Sequence, residues 1–543
     1  MELILKNGKI ATMNASRPWA EAVAVKNGKI VKVGTNDEVL ASKENVAKVI
    51  DLKGKLLVPG FNDSHMHLLM YSYNLQSVNL AGSKSIDDII DRTNKFIKEK
   101  NIPAGKWVLG IGWNQDYFVE GEKRFPNRYD LDKISTEYPI VFIRACYHVV
   151  VANSKAMELA GITKDTPQAK EGHFDKDENG EPLGIFREKT QGLITKWIPE
   201  PTVEEIKKML VEGMKNASKC GITSIQTDDF EAIPGKNYDN ILKAYNELRE
   251  EGKIQVRVYE QCLLPSMERL TGFLNKGYRT GDGDEFFKIG PLKLLGDGSL
   301  GARTAALTRP YSDAPETSGI PAFKQEKLDA LVEKAHNSEM QIAIHCIGDK
   351  AMYMAFEAIE KALKKNPRKD HRHGIVHAQI TDNYLLNKFK ELDAVAYIQP
   401  IFLDYDWHIV ESRIGSDKIG KTYNWRTMID TGIHVGCGSD CPVESFDVMN
   451  GIYEAVTSKD LKGQPEGGWM PNQRLTVEQA LYGFTMGGAY TSFEEGTKGS
   501  IEEGKLADMV VLSRDIFQIP KDEIKDVQVE MTFFNGEMVD FTH

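Results

Sequence analysis

Several things are scarce in this 543-residue sequence, and each scarcity narrows what the protein can be. Positive charge is outweighed: 68 Lys and Arg against 79 Asp and Glu leave a net charge of −11. No net positive field draws a polyanion in, so neither nucleic acid nor an anionic membrane surface is expected as a partner. No uncharged apolar run approaches the roughly 20 residues that span a bilayer. Cysteine is sparse: Cys146, Cys220, Cys262, Cys346, Cys437 and Cys441 are scattered and form no Cys-x-x-Cys pair. Neither a disulfide framework nor a zinc ribbon is suggested. The opening residues Met1-Glu2-Leu3-Ile4-Leu5-Lys6 lack the basic start and apolar stretch of a signal peptide, so a cytoplasmic location is expected. Internal repeats and low-complexity tracts are absent. Charge clusters such as Lys361, Lys364, Lys365, Arg368 and Lys369 read as solvated faces and helix ends.

What is present is a β-rich texture at both ends around a different middle. Leu3-Ile4-Leu5 and Ile10-Ala11 flank Asn7-Gly8, Ala22–Val25 precedes Asn27-Gly28, and Phe533-Phe534 precedes Asn535-Gly536. Asn-Gly between apolar runs is a hairpin signal, because both residues tolerate positive φ. Residues 1–58 and 491–543 are therefore expected to meet as one small β-sandwich. Between them, residues 59–490 alternate apolar strands with amphipathic helices, the pattern of parallel βα units. Eight strands are expected: Phe61–His67, Ile222–Asp228, Ile254–Cys262, Leu292–Leu295, Gln341–Cys346, Gly374–Ala378, Ala394–Gln399 and His434–Ser439. Eight is the number that closes a (β/α)8 TIM-type barrel. One connecting helix has a clear grammar: Thr202-x-x-Glu205 caps it, Ile206, Met209, Leu210 and Met214 give one apolar face, and Gly221 stops it.

About 150 residues separate the first two strands, far more than a βα unit needs. This insertion, about 76–200, holds Trp107, Trp113, Tyr117 and a polar stretch around Gly172–Gly184. An insertion after a strand's C-terminal end is expected to lie over the active-site face and to serve as a substrate cover.

The chemistry gathers at strand ends. His65 and His67 are two apart in an extended segment, so both imidazoles face one side and can reach one ion. His345 and His377 recur at the ends of strands five and six. Each alone could be a packed core histidine; four at strand C-termini are harder to assign to packing. Imidazole suits zinc, iron, nickel or copper, and zinc is the default. Asp440, in Gly438-Ser439-Asp440-Cys441-Pro442, reads either as a turn residue or as a carboxylate that takes and returns a proton. Lys293 stands inside the apolar run Leu292–Leu295. A buried ammonium is costly, so this lysine is ion-paired, neutral, or converted to a carbamate that bridges two metal ions.

With these residues assembled, the chain resembles the amidohydrolase superfamily, in its amidohydrolase-3 (YtcJ-like) branch, which includes N-substituted formamide deformylases. The resemblance runs end to end. Its motifs are Val58-Pro59-Gly60-Phe61-Asn62-Asp63-Ser64-His65-Met66-His67, Gly110-Ile111-Gly112-Trp113-Asn114, Asn153-Ser154-Lys155-Ala156 and Lys293-Leu294-Leu295-Gly296-Asp297-Gly298-Ser299. Further along come His345-Cys346-Ile347-Gly348-Asp349, His377-Ala378-Gln379, Gly438-Ser439-Asp440-Cys441-Pro442-Val443 and Gly499–Asp508. The resemblance implies metal-ligand roles for His65, His67, His345 and His377, a carbamylated bridging Lys293, and a catalytic, metal-proximal Asp440. Where the family often has Gly-His-Ser, this chain has Cys146-Tyr147-His148-Val149: His148 is retained as a candidate substrate or oxyanion contact while its neighbours differ.

The expected reaction is hydrolysis of a non-peptide C–N bond, in an amide or N-substituted formamide, by a metal-bound hydroxide with Asp440 as general acid/base. A divalent metal, zinc by default, is implied, with two ions if Lys293 is carbamylated. Trp113 and Tyr117 either shape an apolar substrate pocket or simply pack. A cyclic-amidine deaminase, an esterase or lactonase, and a regulatory metal-binding protein without turnover are the alternatives. The expected partner is a small-molecule substrate, and a homodimer is compatible with the resemblance.

Overall fold

A computed structural model describes residues 3–41, 48–146, 148–168 and 172–540; Tyr147 lies outside the described residues. The chain forms two compact units, one of Met1–Leu68, Leu210–Phe230 and Ile241–His543, the other of Leu69–Met209 and Glu231–Asn240.

The first unit holds eight parallel strands, Phe61–Met66, Ile222–Thr227, Arg257–Leu263, Phe287–Leu295, Ile342–Cys346, Gly374–His377, Val395–Ile398 and Val435–Cys437. They pair in chain order. Nearly all their residues are buried, so Val395–Ile398, and Ile342–Cys346 apart from His345, are continuous apolar runs, while Phe61–Met66, Ile222–Thr227 and Arg257–Leu263 carry buried polar residues. The first and last strands meet through loop contacts. Asp440 N–H donates to the His65 carbonyl (2.8 Å) and His67 N–H to the Cys441 carbonyl (2.7 Å). The Asp63 carboxylate accepts from the Ser439 amide (3.0 Å) and hydroxyl (2.5 Å). This seam brings the first and eighth strand ends together, and both carry site residues. The sheet is thus a nearly closed TIM-type barrel.

Most strand ends differ from expectation by one or two residues, and two starts differ by more. The third strand begins at Arg257, not Ile254, and the fourth at Phe287, five residues before Leu292. At Pro291 the strand lacks a ladder donor. A register shift between Glu260 and Cys262 on the neighbouring strand accommodates it, so the strand runs through. The helix Val203–Lys219 follows its grammar: Thr202 N–H donates to the Glu205 carboxylate (2.9 Å) and Glu205 N–H to the Thr202 hydroxyl (3.3 Å).

The chain ends build two further sheets of the same unit. One is four-stranded and wholly N-terminal; the other is six-stranded and joins Leu56–Pro59 antiparallel to Met509–Leu512. Leu3, Leu5, Val23 and Val25 from the first share a core with Ile10, Leu57, Met509, Val511 and Phe533 from the second. Asn27-Gly28 (φ 53° and 70°) and Asn535-Gly536 (φ 52° and 80°) close hairpins. Asn7-Gly8 does not. Only Asn7 is left-handed (φ 54°), so the mirror turn cannot form, and the flanking strands enter different sheets.

The second unit contains a six-stranded sheet built from Val78–Asn79, Val108–Trp113, Ile140–Arg144, Val149–Ala152, Pro182–Arg187 and Phe174–Lys176. The helix Ile86–Glu99 contributes Ile86 and Ile89 to a core with Trp113, Phe118 and Phe142. Among the described residues no helix is long and apolar enough to cross a membrane.

Candidate metal centre

The barrel gathers His65, His67, Lys293, His345, His377 and Asp440 at the C-terminal ends of strands one, four, five, six and eight, although they span the sequence from position 65 to position 440. The Nε2 atoms of His65 and His67 lie 3.2 and 3.0 Å from Asp440 Oδ1. The His377 ring is 5.7 Å from that of His65 and 4.5 Å from that of His345. His65, His377 and Asp440 each place a potential ligand atom within 4.8 Å of the other two. His377 (φ 73°) and Asp440 (φ 60°) both have left-handed backbones, a sparsely populated conformation that clusters at functional sites.

Each histidine is held from behind at Nδ1. His65 Nδ1 faces Gln261 Oε1 (2.8 Å), and Gln261 donates its own amide to the Ser64 carbonyl, so its oxygen is the acceptor. His377 Nδ1 meets Gln399 Oε1 (2.7 Å), and Gln399 similarly donates to the Tyr397 carbonyl. His67 Nδ1 donates to the Asp228 carbonyl (3.1 Å) and His345 Nδ1 to Asp297 Oδ1 (3.0 Å). Asp297 is itself fixed by the backbone amides of Ile347, Gly348 and Ala306. With Nδ1 engaged from behind, each ring turns its Nε2 away from that partner, and an Nε2 that carries no proton offers its lone pair to an ion.

The electrostatics agree with a cation site. Burial and the Lys293 charge push the His65 imidazole down to about 3, and burial with His345 holds His377 well below its ordinary value. At His67 burial acts in the same direction, but the hydrogen bond and charge of Asp440 outweigh it, and the proton is held more tightly. Asp440 is ionised: its bonds to His65 and His67 overcome burial and keep it well below the carboxylate range. Lys293 is fully buried, with Nζ 3.0 Å from His65 Nε2 and 3.9 Å from Asp228 Oδ2. Burial lowers its proton affinity, with Asp228 and Asp440 opposing. Imidazoles around one carboxylate, each oriented through Nδ1, match the donor set of a divalent cation.

The remaining candidates lie in the second unit. Trp113 is wholly enclosed in its core, edge-on to Phe125 at 5.5 Å. Tyr117 is 69% exposed on a short turn. His148 is exposed and pairs through Nδ1 with Glu188 (2.9 Å). Sequence reasoning gave no role to Gln261, Gln399, Asp228, Asp297 or the seam carboxylate Asp63, although Asp63 and Asp297 stand inside the motifs that carry the resemblance. The available signal was a polar residue just past an otherwise apolar strand, as Gln399 is after Val395–Ile398.

Comparison with known proteins accords with this arrangement. The Amidohydrolase family model Amidohydro_3 matches residues 48–540. The putative amidohydrolase YtcJ of Bacillus subtilis (strain 168) is 32% identical over 99% of both chains. The N-substituted formamide deformylase of Arthrobacter pascens is 25% identical over 98% of this chain and 97% of its own. The crystal structure of an uncharacterized metal-dependent hydrolase from Pyrococcus horikoshii OT3 superposes with a TM-score of 0.80 at 30% identity, covering 96% of this chain and 99% of that one. The chain belongs to the amidohydrolase family and is a metal-dependent hydrolase.

Proposed function

We propose that the chain hydrolyses a non-peptide C–N bond, in an amide or an N-substituted formamide. His65, His67, His345, His377 and Asp440 would hold a divalent cation, zinc by default, and a carbamylated Lys293 would add a second. When bound, such ions lower the pKa of a water and polarise the substrate carbonyl. Lys293 is suited to carbamylation because burial favours its neutral amine. That neutral amine forms a C–N bond with carbon dioxide, and the resulting carbamic acid releases its proton to solvent, which leaves an anionic ligand.

The observation that carries the reading is Asp440 Oδ1 between two histidine Nε2 atoms, 3.2 and 3.0 Å away. Its carboxylate is ionised and oriented, so it can accept a proton from the attacking water. It then delivers that proton to the nitrogen of the departing amine as the C–N bond breaks. Gln261, Gln399 and Asp297 hold the imidazoles in place through the cycle. The N-substituted formamide deformylase of Arthrobacter pascens supports formamides as the first substrates to try.

The test is an assay of metal-loaded wild type and Asp440→Asn on N-formyl amines, N-acyl amines, esters and cyclic amidines. Amine release by wild type, reduced ~10²–10⁴-fold in the variant, is the expected result. Ammonia released from cyclic amidines alone would replace the reading with a deaminase. Turnover of esters alone would replace it with an esterase.

A further inference from the structure

Beside the metal centre lies a group of carboxylates that the proposed hydrolysis does not use. Asp404 and Asp406 follow the seventh strand, Glu444 follows the eighth, and Glu454 projects from the helix Val448–Thr457. They sense one another. The Glu444 carboxyl is pushed up to about 7 by burial and by Asp404, Asp406 and Asp440. Glu454 is pushed up to about 11 by burial and by Asp404 and Glu444. The group adjoins the centre: Phe402 stacks on the His377 ring at 5.4 Å, and Gln379 donates to Asp406 (2.8 Å) from two residues beyond His377.

The neighbourhood is rich in acceptors and short of donors. Glu454 is fully buried, and neither carboxyl oxygen makes a hydrogen bond of normal geometry, although the Asp404 backbone amide adjoins it. The Gln379 side-chain oxygen is a second buried acceptor without a donor. The donors at hand are already used: Tyr423 Oη and Gln379 Nε2 on Asp406, and the Leu461 amide on Asp404 (2.7 Å). Among the described residues no lysine or arginine pairs with Asp404, Asp406, Glu444 or Glu454. Buried acceptors left unpaired are costly, and like charges crowded together more so. What completes such a place is a cation with several N–H groups. A bare metal ion does not match. Among the described residues, His65, His377 and Asp440 form the group whose three ligand atoms lie within 4.8 Å of one another, and these carboxylates form none.

We propose that Asp404, Asp406 and Glu444, backed by Glu454, form a subsite for an ammonium or guanidinium group carried by the substrate. The subsite rests on the hydrolase reading of the adjoining centre and narrows its substrates to amides or formamides bearing an organic cation. The three donors of an ammonium, or the five of a guanidinium, would meet carboxylates that, among the described residues, no lysine or arginine pairs with.

The test compares N-formyl-1,4-diaminobutane with N-pentylformamide, which replaces the ammonium by a methyl group, on the metal-loaded full chain. A homologous series of two to six methylenes covers the unknown span. Wild type is expected to favour the cationic member in kcat/KM by at least ~30-fold, the scale of a desolvated charge pair. Glu444→Gln and, separately, Asp404→Asn should each erode that ratio. Calorimetry with butane-1,4-diamine against pentan-1-ol reads the subsite without turnover, and Glu444→Gln should lose the diamine. Hydrolysis of both formamides without charge preference, and no diamine binding, would overturn the subsite while leaving the hydrolase reading intact. Diamine binding lost in Glu444→Gln, with neither formamide cleaved, would keep the subsite and overturn the formamide reading. Diamine binding unchanged in both variants would place the cation elsewhere and overturn the assignment.

Discussion

The barrel buries a lysine near each end, and the two are treated differently. Lys498 lies against the start of the second strand, where its ammonium reaches the Ser224 hydroxyl and pairs with Glu494 at 2.5 Å. Lys288, near the start of the fourth strand, pairs with the same carboxylate at 2.8 Å. Lys293, near the end of that strand, has its carboxylate contact at 3.9 Å and a histidine nitrogen at 3.0 Å. A buried charge is stable when paired and hydrogen-bonded, and otherwise shifts toward its neutral form. Burial lowers the proton affinity of both, but the charge and hydrogen bond of Glu494 oppose it at Lys498, a structural cation, whereas Lys293 has no carboxylate in hydrogen-bond range and is disposed to act as an amine. Position along one strand separates these roles: Lys288 and Lys293 are five residues apart.

The sharpest way to break the comparison is to remove each cation in turn. Lys498→Met leaves Glu494 in a buried site with Lys288 alone, and loss of a buried partner costs ~3–5 kcal/mol. Denaturant unfolding should register that loss, while kcat/KM per folded molecule stays near wild type. A normal midpoint in Lys498→Met would show that the base pair is not structural.

Acid should reach the same end of the barrel. Burial raises the Glu494 carboxyl, but Lys498 and Lys288 more than reverse this and bring it to about 2 from an ordinary 4.5. A depressed carboxylate contributes stability that is fully present above about 4.5 and is lost as pH falls toward about 2. The shift corresponds to ~3 kcal/mol. Glu494→Gln should therefore flatten the decline in unfolding free energy across that window, and an unchanged slope would assign acid lability to other carboxylates.

Lys293→Met makes the opposite prediction. A methionine of similar reach replaces an amine that burial already disfavours as a cation, so the unfolding midpoint should hold. Metal content should fall, and kcat/KM should drop at least ~10²-fold with the loss of a ligand to the site. A variant that unfolds readily yet keeps its bound metal would make Lys293 a structural cation after all.

The contrast also explains what could be read in the sequence. The barrel strands are buried on both faces, so several of them, such as Ile342–Cys346 and Val395–Ile398, left apolar runs, and Lys293 stood out as a charge inside another. His65 and His67 stood out through their two-residue spacing. Lys498 gave no such signal, because Glu494-Glu495-Gly496-Thr497-Lys498 looks like an exposed turn and its burial arises only when the chain's C-terminal segment packs against the barrel. Gln261 and Asp297 were silent for a related reason: their histidines are 196 and 48 positions away, and local pattern carries no record of such pairs. The Asn7-Gly8 turn was misread because the dipeptide permits a hairpin, whereas the choice of sheet on either side is set by distant partners.

The smallest effect expected concerns those silent residues. Gln399 accepts the His377 Nδ1 proton at 2.7 Å while its own amide points to the Tyr397 carbonyl, so its oxygen selects the tautomer that leaves Nε2 free. Gln399→Leu removes that acceptor at similar volume. The ring then loses its orientation and some basicity at Nε2, and metal affinity should fall ~10–100-fold. Chelator competition measures this directly, and the unfolding midpoint of the metal-free protein provides the control. Gln261→Leu should do the same through His65, where the acceptor is at 2.8 Å. Equal affinities in both variants and wild type would mean that the rings are oriented by packing alone. A loss confined to Gln399→Leu would make His377 the histidine whose orientation limits metal binding.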